Sequence, residues 1–204
     1  MERLLILNPG STSTKLAVFE GEEPLFVESI THSAEELAPY DCVADQYSFR
    51  RDLVLDCLKR HGIALESITG IVSRGGLLTA IEAGAYAVNE DMVWQLKNKP
   101  RNEHASNVGA MIAKAIADQL NIPAFIYDGV TVEELLPINK ITGLASMQRK
   151  GMGHCLNVGV AERLKALILA DYPEADIFIE PTTALCSFYA EKDGIIVGFE
   201  DMGV

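Results

Sequence analysis

The first thirty residues alternate short apolar runs with turns of small and polar residues. Arg3–Leu7, Lys15–Phe19 and Pro24–Ile30 are the apolar runs, and each is long enough for one strand. Strands that follow one another across such short turns are typical of an antiparallel meander. We therefore predict that the chain begins with three antiparallel strands.

The hydrophobic period then changes from two to nearly four. Phe49, Leu53 and Cys57 lie four residues apart, with Val54 and Leu58 beside them, and His61-Gly62 ends the pattern. This spacing predicts a helix with one apolar face. A second helix is predicted over Met92–Lys97, with Asn89-Glu90-Asp91 as its start, and a third over Val108–Leu120. Further strands are predicted over Gly70–Ser73 and Pro123–Tyr127.

This order, three strands followed by alternating helices and strands, predicts an α/β fold with a mixed sheet and helices on its faces. After Lys150 the pattern gives one more helix, over Val160–Ala170, and a strand over Ile177–Glu180 that Pro181 ends. Leu185–Tyr189 and Ile195–Phe199 could pair with each other. We therefore expect a short αββ tail.

Composition and charge narrow the classes of function. The 204 residues are 49% hydrophobic, which excludes disorder as the main state. With 17 basic and 29 acidic residues the net charge is −12, so we expect neither nucleic acid nor a membrane as a partner. The four cysteines form no metal-binding spacing, and no signal peptide is evident, so we expect a cytoplasmic protein with reduced thiols.

One segment has the composition of an anion-binding turn. Asn8-Pro9-Gly10-Ser11-Thr12-Ser13-Thr14-Lys15 joins the first two predicted strands. Glycine lets the backbone approach a ligand, successive amides and hydroxyls supply donors, and lysine adds a positive charge. A plain hairpin turn has the same composition, so the segment alone leaves both interpretations open.

Four further motifs carry candidate residues. Arg74 precedes two glycines at a strand end and could bind a carboxylate or phosphate, or form a surface ion pair. His104 lies in Glu-His-Ala-Ser-Asn at a helix start, where anions are favoured, although simple capping explains it too. Asp128 follows a strand and could bind a ligand or form an Asx turn. His154, in Arg-Lys-Gly-Met-Gly-His, could be catalytic or structural.

Taken together and in this order, the motifs resemble those of butyrate kinases, members of the acetate kinase family. The resemblance rests on N-P-G-S-T-S-T-K, S-R-G-G-L-L, E-H-A-S-N, Y-D-G-V and R-K-G-M-G-H-C-L-N and runs to about Leu156. It implies the ribonuclease-H-like fold of the actin-like ATPase superfamily. It also implies that a phosphoryl group passes from ATP, with Mg²⁺, to a short-chain fatty acid such as butyrate.

The resemblance also assigns roles to residues. Asn8 and Ser11 would lie by the phosphates and the metal, with Asn8 as a metal contact, and Ser13 and Lys15 would support that turn. Arg74 would hold the substrate carboxylate. Catalytic roles also fall to Asp128, near the metal or the attacking carboxylate, to His104, near the transferring phosphoryl group, and to His154, on its equatorial oxygens.

The tail changes what we expect of this chain. Butyrate kinases are longer, and the Gly-rich nucleotide half is not found after Leu156. We therefore expect a truncated chain with a domain over residues 1–156, an extension over 157–204 that faintly resembles DegV-like proteins, and little kinase activity alone. The alternative is a non-catalytic anion- or acyl-binding module. We also expect an exposed apolar sheet face that favours a homo-oligomer.

Overall fold

A computed structural model of the protein describes residues 2–133, 135–144, 146–150 and 170. The chain divides into two compact units, Met1–Met152 and Gly153–Val204. All elements named below belong to the first unit. His154 and the predicted αββ tail lie outside the described residues, and the domain boundary at residue 156 stays a prediction.

The predicted meander is confirmed. Strands β1 (Arg3–Gly10), β2 (Ser13–Glu20) and β3 (Glu23–Thr31) pair antiparallel in that order. The strands extend further into the polar segment than the apolar pattern indicates, because Asn8 pairs with Lys15 and Gly10 with Ser13. The turn between β1 and β2 therefore shrinks to Ser11 and Thr12.

The three helices and the two later strands predicted before Lys150 are also present. The remaining elements are helices α1 (Ala34–Leu37), α2 (Tyr47–Arg60), α3 (Glu90–Asn98) and α4 (Asn107–Leu120), and strands β4 (Gly70–Arg74), β5 (Tyr86–Ala87) and β6 (Ala124–Tyr127). Asn89 caps α3 as predicted, with its side chain accepting a hydrogen bond from the Met92 amide at 2.8 Å. None of the described helices is long and apolar enough to cross a membrane.

The strands form one mixed sheet, in the order β3-β2-β1-β4-β6-β5. Strands β1, β4 and β6 run parallel, and β5 pairs antiparallel with β6 at the edge. The expected mixed sheet is thus confirmed, but β5, in the segment before Asn89, was not among the predicted strands. Two residues are too few to show an alternating pattern, so only pairing with β6 identifies this strand.

Helices α2 and α4 cover one face of the sheet. Leu5, Val18 and Ile71 on that face are less than 1% exposed and join the core of Val54 and Ile112 from the helices. Helix α4 lies close against β4, because a Cβ on Gly109 would stand 2.1 Å from the Ser73 hydroxyl oxygen. The N-terminus of α4 therefore lies at the carboxyl ends of the parallel strands.

Candidate active site

Polar and charged side chains form a row across the carboxyl edge of the sheet. Asn8 pairs with Lys15, and Leu7 pairs with Ser73, so Asn8 and Arg74 are the next residues along β1 and β4. Neighbouring strands lie about 4.8 Å apart, so the Cα atoms of Lys15 and Arg74 are separated by about 10 Å. Because side chains alternate along a strand, this row points away from α4, which Ser73 contacts.

The predicted phosphate-binding residues share that face. Ser13 lies two residues before Lys15 on β2, so both side chains project to the side of Asn8. Ser13 is buried, Lys15 and Asn8 are half-buried, and Ser11 is exposed in the turn. The hairpin thus brings hydroxyl, amide and ammonium groups to one side of the sheet, as an anion site requires.

Arg74 and Asp128 form an ion pair at the same edge. The Arg74 Nε lies 3.3 Å from Asp128 Oδ2, and the Asp128 side chain is 1% exposed. Asp128 has a φ of 56°, a left-handed conformation that Asp and Asn adopt more readily than most residues. The ion pair that was one alternative for Arg74 is therefore present, but its partner is buried rather than on the surface.

Glycines bring the two motifs into contact. The Gly75 amide donates to the Tyr127 carbonyl at 2.7 Å. A Cβ on Gly75 would lie 2.8 Å from Gly129 Cα, which no side chain can tolerate. The Arg-Gly-Gly and Tyr-Asp-Gly segments, more than fifty residues apart in sequence, therefore meet at the ends of β4 and β6.

The loop before α4 adds His104 to this edge. A Cβ on Gly76 would lie 2.5 Å from Asn107 Oδ1, and that oxygen accepts from the Leu77 amide at 2.9 Å, so the loop after β4 lies against the start of α4. The exposed His104 lies three residues before Asn107, the first residue of this helix. Its Nδ1 lies 2.6 Å from the Ser106 hydroxyl oxygen and 3.2 Å from the Ser106 amide nitrogen, so both contacts hold the ring at the start of the helix.

Sequence reasoning missed Arg50. This arginine on α2 is 0% exposed and donates to the carbonyls of Gly10, Ser11 and Ser13, at 2.9–3.1 Å. It also donates to the Thr14 hydroxyl at 3.1 Å and to Gln46 Oε1 at 2.9 Å. Burial lowers the pKa of Arg50 to about 10, so the guanidinium stays charged at neutral pH.

A signal for Arg50 was present in the sequence. The buried positions of α2 are Arg50, Val54, Cys57 and Leu58, so the arginine occupies the first place of the apolar stripe. Of the apolar positions that predicted this helix, Val54, Cys57 and Leu58 are buried, whereas Phe49 and Leu53 are only half-buried. An arginine four, seven and eight residues before buried positions is a reason to expect a buried cation.

The structure thus gathers most of the predicted site residues. Asn8, Ser11, Ser13, Lys15, Arg74 and Asp128 come from the carboxyl ends of the parallel strands and the adjoining hairpin, and His104 lies at the N-terminus of α4. Two cations and a buried carboxylate at one sheet edge, beside a helix N-terminus, can bind anionic groups and orient them. His154 lies outside the described residues.

An acetate kinase and a propionate kinase are two solved structures with a similar fold. Acetate kinase from Porphyromonas gingivalis superposes with a TM-score of 0.53 at 13% identity, over 81% of this chain and 49% of that one. A propionate kinase from Francisella tularensis gives 0.53 at 15% identity, over 83% and 50%. At these identities the likeness shows the fold, and it confirms the predicted ribonuclease-H-like class.

A sequence relative is much closer. The chain is 40% identical to Butyrate kinase 1 from Clostridium acetobutylicum over 198 residues, which is 97% of this chain and 56% of that protein. No protein-family model matches. The inferred resemblance to butyrate kinases is confirmed, and the chain spans about half the length of the relatives it matches.

The match corrects one expectation about the tail. An alignment of 198 residues leaves at most six of the 204 outside it (204 − 198). The resemblance therefore continues well past Leu156, and the DegV-like origin of residues 157–204 is not supported. The motifs that carry the resemblance end near Leu156. They therefore gave no information on the part of the alignment that follows.

Proposed function

We propose that this relative of butyrate kinases binds a short-chain carboxylate and the phosphates of ATP in a carboxylate kinase reaction. In that reaction butyrate and ATP give butyryl phosphate and ADP. The observation that supports this best is the row of Lys15, Asn8 and Arg74 on one face of the sheet edge. A chain of net charge −12 needs such local positive charge to bring two anions together.

The geometry suggests a role for each group. Arg74, held by its ion pair with Asp128, would bind the substrate carboxylate through its guanidinium. Lys15, Ser11 and Ser13 would bind phosphate oxygens. His104 would donate a hydrogen bond to an oxygen of the transferring group, and His154 would act there by resemblance. Positioning and charge neutralisation supply most of the catalysis in such transfers.

The residues also fit a magnesium ion. Mg²⁺ prefers oxygen ligands and keeps several waters, and Asn8 and Ser11 offer an amide and a hydroxyl oxygen beside the phosphate turn. Asp128 is already held against Arg74, so it fits the role of orienting that arginine better than direct metal binding. When bound, the ion would neutralise charge on the phosphates.

Location in the cytoplasm and self-association remain predictions.

Binding of butyrate tests the carboxylate site. We expect Arg74→Lys to weaken butyrate binding by about 1–3 kcal/mol, the usual cost of a lost charged hydrogen bond. Calorimetric titration measures this in wild type, in Arg74→Lys and in a control, Arg60→Lys. The control alters an exposed arginine in the last turn of α2. Equal affinities in all three proteins would rule out Arg74 as the carboxylate ligand.

A second experiment separates the kinase from the alternative, an anion- or acyl-binding module. The match to butyrate kinase covers 56% of that protein, so we state both candidate functions for the chain as given. We expect the chain alone, with butyrate and Mg–ATP, to give little acyl phosphate in a hydroxylamine-trapping assay. Rapid turnover would show that a complete active site lies in these 204 residues, and butyrate binding without ATP binding would favour the module.

A further inference from the structure

We propose that Arg50 is a positioning residue that holds the Ser11–Thr12 turn in the form that binds phosphate. The inference rests on the proposed function, because it concerns the same turn. Arg50 lies on the opposite side of the sheet from Lys15 and Asn8, so it contacts the turn from below and would not touch the ligand. Its role would be to fix the direction of the turn's peptide groups.

The contacts of Arg50 are directed at the turn backbone. Its guanidinium donates to the carbonyls of Gly10, Ser11 and Ser13, which belong to the turn and its flanking residues. Every acceptor of its hydrogen bonds among the described residues is a neutral oxygen. A buried cation without a counter-charge is costly, and a core side chain of similar size would pack there without that cost. The position therefore calls for the donors of arginine rather than for its volume.

The turn itself needs such support. Two-residue hairpin turns favour the primed types, which place at least one residue at positive φ, because unprimed turns splay the strands. Among the described residues other than glycine, only Asn121 and Asp128 have positive φ. Ser11 and Thr12 therefore form an unprimed turn, and the bonds from Arg50 to both sides of it hold the strand ends together.

Peptide planarity turns these bonds into a functional arrangement. In a trans peptide the C=O and the following N–H point in opposite directions. Since the Gly10 and Ser11 carbonyls point to Arg50, the amides of Ser11 and Thr12 point away from it. Because Arg50 lies on the face that α2 covers, we expect that direction to lead towards the opposite face, which carries Lys15. Two adjacent amides beside an ammonium group form the kind of concavity that binds phosphate.

Amide exchange measured by NMR tests the positional role. We expect Arg50→Lys to speed exchange at the Ser13–Lys15 amides at least about tenfold more than at Ile126 in β6, because one ammonium cannot reach the three carbonyls. The control is Leu58→Ala, a buried residue of the same helix. Its destabilisation should raise exchange by a similar factor at both places. In Arg50→Ala, millimolar methylguanidinium should restore the wild-type shifts of Ser11 and Thr12.

Binding of Mg–tripolyphosphate completes the test. We expect wild type to bind it, Leu58→Ala to keep the affinity, and Arg50→Lys to lose about tenfold, comparable to one charged hydrogen bond. Uniform exchange effects in Arg50→Lys would overturn the positional role. Unchanged affinity in Arg50→Lys would overturn its link to phosphate. If wild type binds no tripolyphosphate, the phosphate role of the turn fails with the proposed function, and exchange still decides whether Arg50 holds the turn.

Discussion

Arg50 and Arg60 lie at opposite ends of α2 and differ in burial and in the groups that they bind. Arg50, in the first turn, is 0% exposed and binds neutral oxygens of the β1–β2 hairpin. Arg60, in the last turn, is 57% exposed and binds the Glu28 carboxylate on β3 at 2.7 Å. Burial lowers the pKa of Arg50 to about 10, whereas hydrogen bonding to Glu28 raises the pKa of Arg60.

The difference shows where this fold places costly interactions. A buried guanidinium loses its hydration, so the protein must supply hydrogen-bond acceptors in place of water. Its replacement therefore affects the whole hairpin. An exposed ion pair gains little over hydration by water. The buried arginine lies under the proposed phosphate turn, and the exposed ion pair lies at the other end of the helix.

The cluster at the Arg60 end resembles a metal site in composition. Ligand atoms of Glu28, Cys57 and His61 lie within 4.8 Å of one another. The Glu28 carboxylate, however, already accepts from Arg60 and from His61, each at 2.7 Å. Burial and the bond to Glu28 raise the pKa of Cys57 to about 11, so its thiol stays protonated and is a poor ligand. The cluster is explained by its own hydrogen bonds.

The largest effect should follow from removing the buried cation. We expect Arg50→Met to lower the free energy of unfolding by about 3 kcal/mol or more, because three hairpin carbonyls lose their donor at about 1 kcal/mol or more each. Denaturant titration of wild type and Arg50→Met measures the change. The matched variant Arg60→Met should cost less than a third as much. Similar losses would show that burial does not distinguish the two arginines.

The next effect concerns the packing that places Arg74. We expect Gly109→Ala to cost about 2 kcal/mol, as overpacking does, because the new Cβ would stand 2.1 Å from the Ser73 hydroxyl oxygen. Thermal unfolding of Gly109→Ala and of Ser73→Ala/Gly109→Ala tests this. The second protein should recover most of the loss, since it lacks that oxygen. If the double variant is no more stable than the single one, the close contact is not the cause.

Most of the fold could be predicted because its signals are local. The alternating runs before Thr31 and the four-residue spacing of Val108, Ile112 and Ile116 identify their elements without any tertiary contact. Strand β5 could not be predicted, because two residues carry no period. In the Asn8–Lys15 segment the end of β1 was predicted too early and the start of β2 too late, because polar residues there pair as strand although their composition favours a turn.

The candidate site was predictable only in part. Glycine-rich ends of strands indicated Arg74 and Asp128, and the parallel order of β1, β4 and β6 explains why such ends meet. The ion pair between them depends on the left-handed Asp128 and on the contact of Gly75 with Gly129, which no local pattern encodes. Arg50 was missed because arginine is rarely buried without a carboxylate partner.

A smaller, pH-dependent effect is expected at Glu28. Hydrogen bonds from Arg60 and His61 lower the pKa of Glu28 from 4.5 to about 2. Its ionised form is therefore favoured in the folded state, so its stabilisation is complete above about pH 4.5 and disappears as the pH falls towards 2.

We expect Glu28→Gln to cost about 1 kcal/mol at pH 7, a modest value because Arg60 is more than half exposed. The difference in unfolding free energy between wild type and Glu28→Gln, followed from pH 7 to pH 3, should shrink as the pH falls below 4.5. Glu22→Gln, in the exposed turn between β2 and β3, is the control and should show no such trend. A Glu28→Gln difference that grows in acid would contradict the assigned ion pair.

The smallest effect should come from exchanging the cation at Arg60 while keeping its charge. Arg60→Lys retains an ammonium that can reach Glu28, and the exposed position lets water replace any bond that is lost, so we expect a change of less than about 0.5 kcal/mol. Arg50→Lys, the same chemical change under the hairpin, should cost several times more, because no water replaces the missing donors there. Denaturant titration of both variants at low and at 0.5 M salt compares them. Salt should weaken the small Arg60 contribution and leave the Arg50 contribution nearly unchanged, because buried contacts are screened little. Equal costs for the two lysine variants would mean that the hairpin can rearrange around a single ammonium, and that the turn does not depend on the guanidinium.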